Sequence, residues 1–173
     1  MNPPSIKVHF VREIAPDLPS RAVMLKDGTN YSHVLLLFPD LENLFPVSTK
    51  ADEKVDYPGE KIFHATGDGV HIANPTEYYK EHILVREFVL PLKVPLIALL
   101  WFIDGAQGKG YGFDQIAAVA VNSIARNGHE KYICSELVGY LTQKACGVPM
   151  EHKGDRDVWK PNHCYQALSA FLP

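Results

Sequence analysis

Cysteine is scarce in this chain: three residues, at positions 134, 146 and 164, stand too few and too scattered for a disulfide framework. Their odd number leaves a free thiol and suits a reducing compartment. A dominant charge is also lacking, since 17 Lys and Arg against 20 Asp and Glu give a net charge of −3. No Lys/Arg run collects on one segment, so the electrostatic footprint for nucleic acid or an anionic membrane is missing. Long apolar runs are missing too. The longest, Val94 to Ile103, is too short to cross a bilayer. Met1 to Pro19 mixes prolines and both charges with apolar residues, unlike a secretory or transit signal, and implies a protein that is cytoplasmic as synthesised. No repeat, low-complexity tract or interdomain linker divides the 173 residues, a length that suits one domain over residues 1–173.

What is present reads as strands first and helices second. Ile6 to Val11 is β-rich and alternates, and the prolines at 16 and 19 end it. Tyr31 to Phe38 is nearly all apolar, as a central strand covered on both faces would be. Asp40 to Gly59 reads as a charged, proline-bearing surface excursion of the kind that forms lids or binding loops. Lys61 to Thr66 and Val70 to Ala73 flank the turn Gly67-Asp68-Gly69 as a hairpin. Asn74 caps a short helix with Pro75 at its first position. Ile83 to Leu90 alternates again. The period then turns helical over Pro95 to Ile103, Asp114 to Arg126, Cys134 to Lys144 and Asn162 to Phe171. This order defines an α+β domain.

Cys134 opens a helical pattern after the breaker Asn127-Gly128. Unpaired backbone N–H groups and the helix dipole at such an end favour a thiolate, so the expectation is a lowered thiol pKa. The competing reading is a buried cysteine packing as a small hydrophobe. Cys146 and Cys164 are read as structural. A nucleophilic thiol needs a base, and among eight histidines His33 stands out because it interrupts an apolar strand. His64 does the same in the next strand. If the two strands are neighbours, His64 can orient His33 through a ring hydrogen bond. For either residue the plainer reading is a core histidine satisfied by backbone. His71, His82, His129, His152 and His163 fall in loops or near element ends, where a solvated imidazole is ordinary. A zinc site drawn from His129, Cys134, His163 and Cys164 lacks any CxxC or HExxH spacing. The run Gly108-Lys109-Gly110-Tyr111-Gly112 lacks the Gly-Lys-Ser/Thr ending of a phosphate loop and reads as a turn. Glu136 reads as a capping or packing carboxylate.

Three segments together carry a resemblance. Tyr31-Ser32-His33-Val34 enters an apolar strand, Phe63-His64-Ala65-Thr66-Gly67-Asp68-Gly69-Val70 follows, and Tyr132-Ile133-Cys134-Ser135-Glu136-Leu137-Val138 opens a helix. This pattern resembles the YiiX-like proteins, circularly permuted relatives of the NlpC-type cell-wall hydrolases in the papain-like superfamily. The likeness runs roughly from Ile6 to Leu168, and Tyr111-Gly112-Phe113-Asp114 and Trp159-Lys160-Pro161-Asn162 also look like family features. In that group the His strand precedes the Cys helix, as here.

The resemblance implies a small antiparallel sheet, or half-barrel, with the Cys helix packed on it. It implies Cys134 as nucleophile, His33 as base and His64 at a third position that family members often fill with a carboxylate. It calls for no cofactor and no metal. The implied chemistry is acyl transfer at an amide or ester, on a peptide, peptidoglycan or lipid-acyl substrate. The opening Ile6 to Arg12 followed by a Ser-His strand also resembles small proteins of tailed-phage genomes, which implies a virion location. A non-catalytic virion or assembly module that keeps the fold is the reading from another class, and a lipid-directed acyltransferase or esterase is the third. A homo-oligomer stays open, because Leu44, Phe45 and Val47 could cover a partner or a lid.

Overall fold

The computed structural model describes residues 4–39, 47–49, 53–55, 59–111, 131–150 and 160–172. In chain order these form β1 (Ser5–Glu13), α1 (Leu18–Asp27), β2 (His33–Phe38), β3 (Val47–Thr49), β4 (Glu53–Val55), β5 (Lys61–Thr66), β6 (Gly69–Ala73), α2 (Pro75–Tyr78) and β7 (His82–Pro91). They continue with α3 (Leu96–Ala106), β8 (Gly110–Tyr111), β9 (Lys131–Tyr132), α4 (Cys134–Cys146) and α5 (Pro161–Phe171). Five strands make one sheet in the order β6-β5-β2-β1-β7, antiparallel throughout. The expected α+β architecture is therefore present, with strands leading and helices packed on the sheet.

Residue type explains the layers. In β2, Val34, Leu36 and Phe38 enter the main core, and Leu35 and Leu37 enter a smaller cluster on the other face. Both faces being covered is why this strand reads as a continuous apolar run. Helix α4 lies on β2 and β5 with α3 and α5 beside it, and it buries Leu137, Val138, Leu141 and Ala145 completely. The helix ends where Gly147 takes a left-handed turn (φ 69°), a conformation that costs glycine least. The second face is smaller: Val11, Leu35, Leu37 and Ile62, covered by Tyr78 and Tyr79 from the α2 corner. Asn74 fixes that corner by accepting the Thr76 N–H at 2.8 Å.

Several elements escaped the sequence reading: helix α1, the pair β3 and β4, and the parallel pair β8 and β9, with β8 in the glycine run read as a turn. Helix α1 follows strand β1 directly, where only chain-breaking prolines were legible. It buries no residue, so no apolar stripe announces it. Its signal lay in its ends: Asp17 accepts the Ser20 N–H at 2.8 Å, a proline sits in the first turn, and Gly28 closes the helix at φ 62°. The Asp40 to Gly59 excursion contains a short hairpin, β3 with β4. The remainder of that excursion, and the helix expected over Asp114 to Arg126, lie outside the described residues. Among the described residues no helix is long and apolar enough to cross a membrane.

Candidate functional site

Cys134 is the first residue of α4, and it is 5% exposed. Glu136 steadies this end by accepting the Ile133 N–H at 3.3 Å, the capping role its position suggests. The sulfur meets backbone N–H groups of Val34, Ser135 and Cys134, each of which favours the thiolate. The Val34 contact follows from the sheet. The β2–β5 ladder runs only from Phe38/Lys61 to Leu36/Phe63, so His33, Val34 and Leu35 fall beyond it. On its other side Val34 pairs with Phe10 of β1, and α4, packed on β2 and β5, brings the sulfur near the Val34 N–H. Burial outweighs all three donors. The thiol is pushed up from its ordinary 9.0 to about 11, which corrects the expectation of a lowered pKa. The helix end does favour the thiolate, but enclosing it in apolar surroundings costs more than the N–H groups return.

His33 begins β2, one residue from that contact. It keeps step with Leu35 and Leu37, on the side of the strand away from α4. The thiol thus reaches the strand from the helix side while the ring leaves it on the other. No hydrogen bond joins Cys134 to His33, and His33 Nε2 is sealed without a partner. Burial pushes His33 down to about 3, with His82 and His71 adding to the shift, so the ring is neutral at rest.

His64, 2% exposed in β5, lies on the same side, its ring centroid 5.6 Å from that of His33 and nearly perpendicular to it. The structure therefore brings His33 and His64 together, as expected of neighbouring strands. The ring hydrogen bond expected between them is not made, since both His64 nitrogens lack partners. The rings meet edge to face, an orientation that turns no His64 nitrogen onto His33. Burial, then the neighbouring imidazoles His33, His71 and His82, push His64 well below its ordinary value.

The cluster is larger than the sequence suggested. His71 sits directly across from His64 in the β5–β6 ladder, ring centroids 4.4 Å apart. Tyr78 stands edge-on to His64 at 5.1 Å and stacks on His82 at 3.9 Å. His82 opens β7, at a strand end as expected, whereas His71 lies within β6, and both half-buried rings contribute to this face. Period-two alternation from His64 across a two-strand hairpin was the available signal for His71.

A second network went unseen. His9, 3% exposed in β1, contacts the Tyr79 hydroxyl through Nδ1 and the Glu87 carboxylate through Nε2 at 2.8 Å. Both nitrogens are satisfied, so this is the paired core histidine that a buried imidazole ordinarily becomes. Burial lowers its pKa against the opposing pull of Glu87.

Cys146 and Cys164 are buried thiols, with Cys164 donating to the Ser135 carbonyl at 3.2 Å, in keeping with structural roles. Among the described residues no group of three or more His, Cys, Asp or Glu is placed to hold a metal ion. His129, one member of the zinc set considered above, lies outside the described residues. Compared with known proteins, the chain matches no family model and no curated sequence.

Proposed function

We propose that this chain is a cysteine-dependent acyl hydrolase or transferase, with Cys134 as nucleophile, His33 as its base and His64 as the third member. A peptide amide of the peptidoglycan-stem kind is the substrate class this reading favours. One observation carries it: α4 packs on β2 and β5 and sets Cys134, its first residue, beside the start of β2, where His33 stands and the β2–β5 ladder has ended. The resemblance of the Ser-His strand and the Cys-Ser-Glu helix to permuted NlpC-type hydrolases supports the same assignment.

The resting pair is a neutral thiol and a neutral imidazole, so proton transfer accompanies attack rather than preceding it. His33 takes the thiol proton as sulfur bonds to the carbonyl carbon and the carbonyl π pair moves to oxygen. Backbone N–H groups that face the sulfur at rest are the donors available to that oxygen. The tetrahedral species then expels the amine or alcohol, which leaves with the proton from His33, and water or another acceptor releases the acyl group. The Cys134–His33 hydrogen bond, absent at rest, must form when substrate binds, which requires the start of β2 to turn the His33 ring from the face away from α4 towards the sulfur. Catalytic hydrogen bonds commonly tighten only then.

The test is incubation of the wild type and Cys134→Ala with purified peptidoglycan and with short-chain esters and thioesters, followed by mass spectrometry of the products. Fragments released by the wild type alone are the expected result, and the bond cleaved separates amidase from lipid esterase. His33→Ala is expected to lose about 10²–10⁴-fold, the usual worth of a positioned base. Equal signals from wild type and Cys134→Ala on every substrate would leave a non-catalytic virion or assembly module.

A further inference from the structure

His64 presents a puzzle of donors and acceptors. A neutral imidazole carries one N–H and one lone pair, and in His64 both are buried and unbonded. Its neighbours on the same face are His33, with a sealed unbonded Nε2, and His71, whose Nδ1 lies 3.1 Å from the Gly69 carbonyl. A carbonyl oxygen can only accept. His71 Nδ1 therefore carries the ring proton, and His71 Nε2 is left with a lone pair. The turn holds this carbonyl in place: Gly69 sits at φ 100°, and a Cβ there would come within 2.7 Å of the Lys109 carbonyl.

We propose that His71 is a positioning residue, which sets the direction of a hydrogen-bond chain through His64 to His33 and so leaves His33 a lone pair for the Cys134 thiol. Only its last link rests on the reading proposed above. The logic runs outward from Gly69. His71 can only accept from His64, so His64 donates towards His71 and keeps its lone pair for His33. His33 then donates to His64 and presents its remaining lone pair elsewhere. Cross-strand pairing places the His64 and His71 rings with centroids 4.4 Å apart at 61°, and rotation about χ2, a soft torsion for His, suffices to bring nitrogen to nitrogen. Tyr78, at 5.1 Å, limits where the His64 ring can otherwise turn. A carboxylate in the third position would accept from His33 on its own. A neutral His64 cannot be relied on to accept unless something fixes its tautomer, and His71 supplies that.

The experiment is long-range ¹H–¹⁵N NMR of the imidazole rings at neutral pH, on the full chain without substrate. In the wild type the expected spectrum shows His71 protonated at Nδ1 alone, and single tautomers for His64 and His33. In His71→Leu, His64 and His33 are expected to lose their single tautomers while circular dichroism stays unchanged. A wild-type His71 protonated at Nε2, or an unchanged His64 tautomer in folded His71→Leu, overturns the proposal. If His71→Leu does not fold, the wild-type assignment decides alone. Turnover by Cys134 and the ring tautomers are read separately, so either idea can fail without the other.

Discussion

A buried imidazole with no hydrogen bond costs about 1–3 kcal/mol, and the two deeply buried histidines of this sheet treat that cost differently. His9 avoids it, with Glu87 on one nitrogen and the Tyr79 hydroxyl on the other. His64 bears it on both nitrogens. Groups held against their own stability concentrate where chemistry is done, which is the residue-scale reason for placing function at His64 and not at His9. Cys134 gives a sharper test. With its thiol pushed up to about 11, its alkylation by iodoacetamide in the absence of substrate should be slow near neutral pH and climb until about pH 11. A rate already level at neutral pH would mean a thiolate at rest, and the neutral-pair mechanism would be wrong. His33 and His64 were legible in the sequence because each interrupts an apolar strand. His71 was missed, because it interrupts no apolar run, and only counting the register across the expected hairpin places it opposite His64.

At the scale of elements, legibility followed burial. Helix α4 buries an apolar stripe and ends in a left-handed glycine, and its expected span differs from the observed one by two residues at the C-terminal end. Helix α1 buries nothing and went unseen, with Leu18 and Leu25 in solvent. Propensity and caps alone held the information there, and they are weaker guides than periodicity. The difference predicts unequal sensitivity to substitution. Leu141 of α4 is fully buried in the main core. Leu141→Ala should destabilise the fold by about 2–5 kcal/mol in urea denaturation, as cavity-forming core changes do. A loss below about 1 kcal/mol would show that α4 is not packed as described. The site would suffer with it, since α4 carries the sulfur to β2.

For the whole molecule, the ionisable groups set a window of stability. His33 and His64 have ordinary values of 6.5 and are lowered on folding, His33 to about 3. The unfolded chain therefore binds more protons than the folded one below pH 6.5, and stability falls as pH drops from there towards 3. The thiols shift the other way: Cys134 rises from 9.0 to about 11 and Cys146 to about 12. Above pH 9 the unfolded chain releases protons that the folded chain keeps, so stability falls again as pH rises. Thermal melting across pH should show a plateau between about 6.5 and 9 with a decline on both sides. A melting temperature that holds steady from pH 6.5 to 4 would mean that the imidazoles are not buried in neutral form.

The sequence alone determined what depends on local pattern: which segments alternate, which repeat with helical period, where caps and glycines stop them, and that two polar rings interrupt the apolar strands. Those features follow from backbone periodicity and side-chain type, both written in neighbouring residues. Tertiary structure decided what depends on partners distant along the chain. It turned the Cys134 sulfur to the Val34 N–H instead of to an imidazole, gathered His33, His64 and His71 on one face, and satisfied His9 with Glu87 and Tyr79. It also reversed the sign of the thiol's pKa shift. Helix ends favour the charge locally, but desolvation is set by everything packed around the sulfur, and no local pattern carries that sum.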